Sequence, residues 1–277
     1  MTRPPLRDAA TLHKPLIVIK LGGSALTDKT RIYTPRIPII HSAASQVAEI
    51  RKDCSIILVH GAGSYGHIPV KKYGLQQGWK SPNQLKGLSS TKFKLLEWEN
   101  LLDEILLEHG VPVIPFLASD FFVTEKGRIV SAWLKPLASW LHLGCVPITG
   151  GDIVPDSRKG FSILSGDQIA AFIAIRLKAT SLIYAVDVDG VFNANPNLDT
   201  NAQLLETLTP SFARHLISRA MSGTTPDVTG GMTGKISESL SAIRHRIPVY
   251  FVNLTKSGRL RKAALGQKVT SSRLILS

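Results

Sequence analysis

Residues 58–70 read LVHGAGSYGHIPV, an apolar run that leads into three closely spaced glycines. The glycines have the spacing G-x-G-x-x-G, which after a strand is the usual signature of a dinucleotide site. Such a site also needs the loop to open a helix, with an acidic residue about 20 residues further on. Pro69 follows the loop closely, however, and residues 79–86 (WKSPNQLK) contain no acid. The sequence therefore disfavours a nicotinamide or flavin enzyme.

A second glycine-rich stretch, residues 229–236 (TGGMTGKI), ends in the pair Gly234-Lys235 followed by an apolar residue. A Walker A loop begins with glycine and has serine or threonine directly after its lysine. Thr229 and Ile236 stand at those two positions. This stretch is therefore a glycine loop with a lysine, and it does not qualify as a P-loop.

Strand-like and helix-like stretches alternate along most of the chain. Residues 15–21 (PLIVIKL) form a continuous apolar run with one lysine, which is typical of a buried parallel strand. Similar runs predict strands over residues 55–59, 111–116, 145–149, 181–187 and 248–252. Apolar residues at helical spacing predict helices over residues 39–50, 84–109 (one long helix or two short ones), 168–178 and 234–246. We predict an α/β fold whose central, mostly parallel sheet lies between helices and binds ligands beyond the carboxyl ends of its strands.

Composition limits the classes of partner. No apolar run approaches the roughly 20 residues of a membrane helix, so we expect no membrane association. The formal net charge of +13 raises the question of nucleic-acid binding, because phosphate contacts need lysine and arginine. The basic residues are nevertheless scattered, and no nucleic-acid-binding motif is present. A positive protein field also suits a small phosphate-rich ligand such as ATP, and we expect that kind of partner instead.

The ends of the chain and its cysteines give further expectations. The first fourteen residues, MTRPPLRDAATLHK, lack the apolar core of a signal peptide and are interpreted as a flexible tail. Cys54 and Cys145 have neither metal-binding nor disulfide spacing, as expected of small buried residues in a reducing cytoplasm.

Residues 15–277 are predicted to form one domain, with a division near residue 175 that no linker marks.

Several loops combine glycines, whose backbone can approach phosphate oxygens closely, with lysine or aspartate. They are residues 20–29 (KLGGSALTDK), 61–67 (GAGSYGH), 149–152 (TGGD), 187–191 (DVDGV) and 227–235 (DVTGGMTGK). Lys20 is the most informative residue, because a lysine inside a buried strand is costly unless it meets an anion. The alternative is that its side chain extends past the end of the strand into water.

Together and in this order, the loops resemble the amino-acid kinase family over roughly residues 15–255. Residues 20–29, 60–67 (HGAGSYGH) and 227–235 narrow the resemblance to the isopentenyl phosphate kinases of that family, and residues 163–169 (ILSGDQI) support it. The resemblance implies an amino-acid-kinase-like αβα sandwich, with an acceptor-binding lobe over approximately residues 15–175 and an ATP-binding lobe over 176–277. It also implies transfer of the γ-phosphoryl group of ATP to isopentenyl phosphate.

The resemblance assigns a role to each loop. Lys20 would bridge donor and acceptor, Lys29 would hold the ATP phosphates, and Asp167 would orient Lys20. The other nucleotide-binding residues would be Gly22, Gly23 and Ser24, which present N–H groups, together with Gly63, Asp187, Asp189, Gly231 and Lys235. The acceptor would contact Ala62, Gly63, His67, Gly150, Gly151 and Asp152, although the TGGD stretch departs from the family pattern of histidine before a single Gly-Asp.

Two histidines flank the glycine loop. The resemblance places His67 against the phosphate of the acceptor, where an imidazole can donate a hydrogen bond and carry charge. His60, at the end of the strand, is interpreted as structural. A phosphonate or other phosphate-monoester kinase similar to fosfomycin kinases stays open as an alternative, because such enzymes share the histidine-bearing loop.

The remaining expectations concern the cofactor, the acceptor tail and assembly. Mg²⁺ is expected with ATP, held mainly by phosphates and water, because no carboxylate cluster suggests a protein metal site. An apolar acceptor tail would lie among residues chosen from Ile68, Val70, Tyr73, Leu75, Phe116 and Ile153. The resemblance also implies a cytoplasmic homodimer.

Overall fold

The computed structural model describes residues 12–28, 30–196, 198–221 and 231–276. Most of the predicted tail, residues 1–11, lies outside the described residues. Leu12 packs against the core, and Lys14 Nζ donates to the carbonyls of Arg51 and Lys52 at 3.1 and 2.6 Å. The last residues assigned to the tail therefore belong to the folded body.

The strands form two sheets. They are β1 Leu16–Leu21, β2 Ser55–His60, β3 Val113–Phe116, β4 Phe122–Glu125, β5 Arg128–Ala132, β6 Val146–Gly150, β7 Asp152–Asp156, β8 Gly160–Leu164, β9 Ser181–Val186, β10 Thr207–Leu208, β11 Val249–Asn253 and β12 Ser271–Leu274. The large sheet has the order β10-β12-β11-β9-β1-β2-β6-β3, and its neighbouring strands are parallel except for β11 with β12.

Helices cover both faces of the large sheet. They are α1 Gly23–Leu26, α2 Ile37–Ile50, α3 Gly63–Lys72, α4 Leu85–Glu108, α5 Ala118–Phe121, α6 Lys135–His142, α7 Gly166–Arg176, α8 Pro210–Met221, α9 Met232–Arg244 and α10 Arg259–Ala264. Residues 85–108 form one long helix, which settles the open choice between one helix and two. The predicted α/β sandwich with a mostly parallel sheet is confirmed.

Strand β1 lies at the centre of the large sheet, between β2 and β9. All six of its residues are buried, which explains why its sequence is a continuous apolar run instead of an alternating one. Ile17 and Ile19 face the core formed with α2, α4 and α10, whereas Leu16 and Val18 face the core formed with α7 and α9. Because side chains alternate along a strand, Lys20 points towards α7 and α9.

The small sheet has the order β5-β4-β7-β8 and was not predicted. Its strands β4 with β5 and β7 with β8 form antiparallel pairs of four or five residues per strand. Asp156 stabilises its turns by accepting hydrogen bonds from the backbone N–H groups of Gly127, Arg158 and Lys159 at 2.8 to 2.9 Å. The β7–β8 pair follows directly after β6 and so lies beside the carboxyl ends of the parallel strands.

The outer strands of the large sheet are both short. Strand β10 contains two residues and strand β3 contains four, one of which is Pro115. Neither offers a long row of backbone hydrogen-bonding groups at the edge of the sheet.

Candidate active site

The loops after β1 and β2 touch each other at glycines. A Cβ atom added to Gly23 would lie 2.5 Å from the backbone nitrogen of Gly63, and one added to Gly61 would lie 2.6 Å from that of Gly23. Real Cβ atoms do not approach backbone atoms this closely, so the two loops can pack together only because these positions lack side chains. The glycine-rich sequences therefore bring the ends of β1 and β2 into one continuous surface.

We expect Gly23→Ala to separate these loops. The added methyl group must push Gly63 away, and a displacement of about 1 Å at a reacting centre can cost about 100-fold in activity. Steady-state kinetics should show this loss, while thermal unfolding reports whether the fold survives. Gly110→Asn is the matched control: Gly110 has φ 73°, which asparagine tolerates, and open space around its Cβ position. Unchanged turnover in Gly23→Ala would contradict the close-packing argument.

The glycine loop of residues 61–66 opens helix α3, with Gly63 at φ 51° as its first residue. This result corrects the expectation from Pro69, which lies inside the helix and does not prevent it. Gly63, Gly66, His67 and Val70 recur at intervals of three or four residues along α3, so they share one helix face. All four line the same cavity. The short glycines let the backbone form one wall, from which the exposed His67 projects.

Lys20, Asp167 and Lys235 form the charged centre of the site. Lys20 Nζ lies 2.7 Å from Asp167 Oδ1, and Lys235 Nζ lies 3.2 Å from Asp167 Oδ2. Asp167 stands in the first turn of α7, after Ser165, whose side chain accepts a hydrogen bond from the backbone of Gln168 at 3.2 Å. One carboxylate at the start of a helix thus holds a lysine from β1 and a lysine from α9 together.

Burial and the neighbouring charges shift the pKa values of Lys20 and Asp167. Burial lowers the pKa of Lys20, the charge of Asp167 opposes this effect, and repulsion from Lys235 adds to it. Burial alone would raise the pKa of Asp167, but the two lysines outweigh it and hold that pKa below its usual range. Asp167 is therefore ionised at neutral pH. Its ion pairs stabilise the fold there, and this contribution is lost as the pH falls through the lowered pKa.

A cavity of about 370 Å³ lies over these groups. Its lining includes Asp167, which lies between the two lysines. The lining residues that were assigned to the nucleotide are Lys20, Gly23, Ser24, Gly63, Gly231 and Lys235. The lining residues that were assigned to the acceptor are Ala62, Gly63, His67, Gly151 and Asp152. Most of the predicted site residues thus surround one space, although they come from stretches as distant as residues 20 and 235.

Two predicted site glycines lie outside this cavity. The N–H group of Gly22 donates to the carbonyl of Ala185 at 2.8 Å, so it is already used within the sheet and not available to a phosphate. Gly150 lies against the imidazole ring of His60, where a side chain would collide with the ring. Both glycines serve close packing in this structure, and their assignment as ligand contacts stays a prediction.

Asp152 lines the cavity, but other groups already engage its carboxylate. Lys92 Nζ donates to both oxygens at 2.7 and 2.6 Å, and the backbone nitrogens of Ser119 and Ile153 donate at 3.1 and 2.7 Å. A carboxylate with these donors is suited to fixing the start of β7. Sequence reasoning did not find Lys92, because it lies 60 residues away from Asp152 on α4.

The aspartates after β9 also lie beyond the cavity walls. Asp189 Oδ1 accepts from Arg259 Nη1 at 2.6 Å and from Asn253 Nδ2 at 2.8 Å, which ties the loop to β11 and α10. Asp187 is exposed, and its charge acts on Lys20. Lys29 lies outside the described residues, as do residues 227–230 of the last glycine loop.

The other end of the cavity is apolar. Val70 and Ile153 line it, as expected, and Leu95 of α4 and Ile163 and Leu164 of β8 join them. Ile68, Tyr73, Leu75 and Phe116 are not among its lining residues; Leu75 and Tyr73 pack in a small cluster beside it. The sequence carried no signal for Ile163 or Leu164, because their strand belongs to the unpredicted small sheet.

Comparison with known proteins identifies the family of this chain. The profile of the amino acid kinase family matches residues 15–253, so the chain belongs to that family. An isopentenyl phosphate kinase from Methanothermobacter thermautotrophicus is 31% identical to it over 267 residues, which cover 94% of this chain and 98% of the relative. One from Arabidopsis thaliana is 30% identical, over 85% of this chain and 86% of the relative. An X-ray structure of an isopentenyl phosphate kinase is similar, with a TM-score of 0.81 and 29% identity over 94% of this chain and 99% of the other.

None of the described helices is long and apolar enough to cross a lipid bilayer.

Proposed function

We propose that the protein transfers the γ-phosphoryl group of ATP to isopentenyl phosphate, giving isopentenyl diphosphate and ADP. One observation carries this proposal: a single cavity joins a cationic end at Lys20 and Lys235, the side chain of His67, and an apolar end at Val70 and Ile153. An acceptor made of a phosphate and a short apolar tail would match this order, with its phosphate near the cations and His67 and its tail at the apolar end. Relatives named isopentenyl phosphate kinase match this chain over nearly their whole length and support the proposal.

The chemistry needs no general base. A phosphate monoester is already ionised at neutral pH, and the difficulty lies in bringing two anions into line and stabilising the charge on the transferring group. Lys20 is placed to meet that charge because it is buried at the end of β1. Asp167 is ion-paired with both lysines and keeps the ammonium of Lys20 directed into the cavity. Its role is therefore positioning.

The nucleotide would lie on the side of Gly231 and Lys235. The backbone N–H groups of Gly23 and Ser24 stand in the first turn of α1, where no preceding helical carbonyl can accept them. They are suited to binding phosphate oxygens beside Lys235. Lys29 is proposed to add a further positive charge to the same phosphates.

Mg²⁺ is proposed to accompany ATP. Among the described residues there is no group of three histidine, cysteine, aspartate or glutamate side chains that could hold a metal ion. Magnesium at kinase sites is commonly bound through one or two carboxylates, phosphate oxygens and water, and this arrangement fits the residues present. Asp187 is an exposed carboxylate whose charge acts on Lys20, and it would be the carboxylate that contacts the ion. The ion would supply neutralisation of phosphate charge.

The acceptor tail is proposed to bind at the apolar end, among Val70, Leu95, Ile153 and Ile163. Each buried CH₂ group contributes about 0.8 kcal/mol to binding when it is well packed. An acceptor with a five-carbon tail should therefore bind much more tightly than a phosphate without one. This end of the site favours a prenyl phosphate over a small polar phosphonate.

A panel of acceptors tests the proposal. With ATP and Mg²⁺, we expect the highest kcat/KM for isopentenyl phosphate or its isomer dimethylallyl phosphate, with geranyl phosphate and fosfomycin compared in the same assay. Turnover of fosfomycin alone would establish the alternative, a kinase similar to fosfomycin kinases. Glutamate and acetylglutamate serve as controls from other branches of the family, and their phosphorylation would contradict the assignment of the acceptor as a phosphate.

We further propose that the protein acts in the cytoplasm as a homodimer, as its resemblance to other amino-acid kinases implies. Analytical ultracentrifugation of the purified protein checks the oligomeric state, and a monomer at micromolar concentration would contradict it.

A further inference from the structure

A buried polar cluster lies directly behind the glycine loop, and the phosphoryl transfer described above does not use it. The cluster consists of His60 at the end of β2 and of Trp98, Glu99 and Asp103 on α4; we call it the His60 cluster. His60 and Trp98 are almost completely buried, and the two carboxylates are nearly so. Buried polar groups need partners, so their hydrogen bonds limit which protonation states the cluster can adopt.

The indole of Trp98 determines the protonation state of His60. Trp98 Nε1 lies 3.1 Å from His60 Nδ1 and 3.1 Å from the carbonyl oxygen of Gly61. An indole nitrogen can only donate, so Nδ1 must accept and cannot carry a proton. The single proton of the neutral ring then lies on Nε2, which is 3.3 Å from Glu99 Oε1. His60 is thus held as one neutral tautomer between a donor and a carboxylate.

Two carboxylates on α4 lie near the ring of His60. Burial, and to a smaller extent Glu99, raises the pKa of Asp103 to about 7, although the nearby His60 opposes this rise. Asp103 Oδ1 has no hydrogen-bond partner among the described residues. Lys20 lies near the following residue, with its Nζ 3.5 Å from the Cβ position of Gly61. Among the described residues, the N–H of Trp98 is the group that contacts Nδ1.

His60 contacts segments of the chain that form the walls of the cavity. Its carbonyl oxygen accepts from the backbone nitrogen of Gly151 at 3.0 Å, and Gly166 approaches the same oxygen so closely that a Cβ there would lie 2.8 Å from it. Its ring fills the space beside Gly150. Gly61, Gly151 and Gly166 all line the cavity. The backbone of His60 thus contacts two cavity segments, and its ring packs against the residue just before Gly151.

We propose that Trp98 is a positioning residue: by donating to both His60 Nδ1 and the Gly61 carbonyl, it keeps His60 neutral and fixes the glycine loop for phosphoryl transfer. The activity of the enzyme is thereby insulated from protonation of a histidine next to its site. Tyr65 stacks on the indole with ring centres 5.3 Å apart, so a phenylalanine at position 98 can keep this packing while losing the N–H group.

Trp98→Phe tests the proposal through its dependence on pH. Without the indole N–H, Nδ1 of His60 becomes free to bind a proton as the pH falls. We expect kcat/KM for the acceptor to be lowered at pH 8, because the bond to the Gly61 carbonyl is lost, and to fall several-fold further than in the wild type between pH 8 and 6. Trp140→Phe on α6, a half-exposed tryptophan, is the matched control and should reproduce the wild-type profile.

Nuclear magnetic resonance of ¹⁵N-histidine-labelled protein gives a readout that does not depend on catalysis. The wild-type resonances of His60, assigned through a His60→Asn variant, should retain an unprotonated Nδ1 from pH 6 to 8, whereas those of Trp98→Phe should titrate. Titration of the wild-type ring in this range would overturn the proposal. So would a Trp98→Phe profile that is lower than the wild type by one constant factor at every pH. If Trp98→Phe does not fold, the wild-type spectrum alone decides. The measurement of kcat/KM rests on the proposed function, whereas the NMR titration does not. A failure of the proposed function can therefore be distinguished from a failure of this inference.

Discussion

Lys20→Met should lower kcat by about 10²- to 10³-fold, the loss typical of removing one preorganised group that stabilises a developing negative charge. The ammonium of Lys20 is buried at the end of the central strand, 2.7 Å from Asp167, and opens into the cavity. Methionine has a similar length and is apolar, so it should occupy the same space without supplying charge. Steady-state kinetics with saturating ATP and isopentenyl phosphate measures the effect.

The variant also leaves Asp167 with Lys235 alone, and removing one partner of a buried ion pair typically costs about 3–5 kcal/mol of stability. The double variant Lys20→Met/Asp167→Asn removes both members of the 2.7 Å pair and leaves Lys235 without this carboxylate, so it should be no more active than the single variant. Lys94→Met is the control, because Lys94 pairs with Glu97 at the surface. If the double variant folds and retains wild-type turnover, Lys20 has no role in transfer.

His67→Ala should lower kcat/KM for isopentenyl phosphate by about 10- to 100-fold while changing the KM for ATP little. A hydrogen bond to a charged group is worth about 1.5–3 kcal/mol, which corresponds to this range. His67 stands on the cavity face of α3 beside Val70, towards the apolar end, whereas Lys235 and Gly231 belong to another wall. The selective loss for the acceptor distinguishes a contact with its phosphate from general damage to the site.

His67→Gln refines this test, because glutamine keeps an N–H donor but carries no charge. Partial recovery of acceptor use would indicate that the hydrogen bond accounts for much of the effect. His245→Ala, which alters an exposed histidine after the end of α9, should behave like the wild type. Equal losses for ATP and acceptor in His67→Ala would argue against the assignment of this residue to the acceptor.

The parallel core and the charged centre of the site were predictable from sequence. A buried parallel strand requires a continuous apolar run, and residues 15–21 interrupt theirs only with Lys20. That lysine was expected to need an anion, and Asp167 is its partner in the structure. The loop glycines were assigned to phosphate binding, and their mutual contacts explain why no side chain is tolerated at Gly23 or Gly61.

The remaining features depend on contacts that no local pattern encodes. The strands of the small sheet are too short for a clear alternation, so β4, β5, β7 and β8 were missed. The resemblance assigned Asp152 and Asp189 to ligand binding. Their carboxylates also pair with Lys92 and Arg259, which lie 60 and 70 residues away in the chain and which no local pattern identified. Pro69 was taken as a barrier to a helix that in fact contains it.

The short outer strands of the large sheet have a consequence for assembly. Strand β10 has two residues, and β3 loses a donor at Pro115, so neither side can extend a ladder of backbone hydrogen bonds into another molecule. The edges of the large sheet are therefore poor surfaces for association between copies of this chain. Growth of the sheet into cross-β fibrils should be slow while the native state persists.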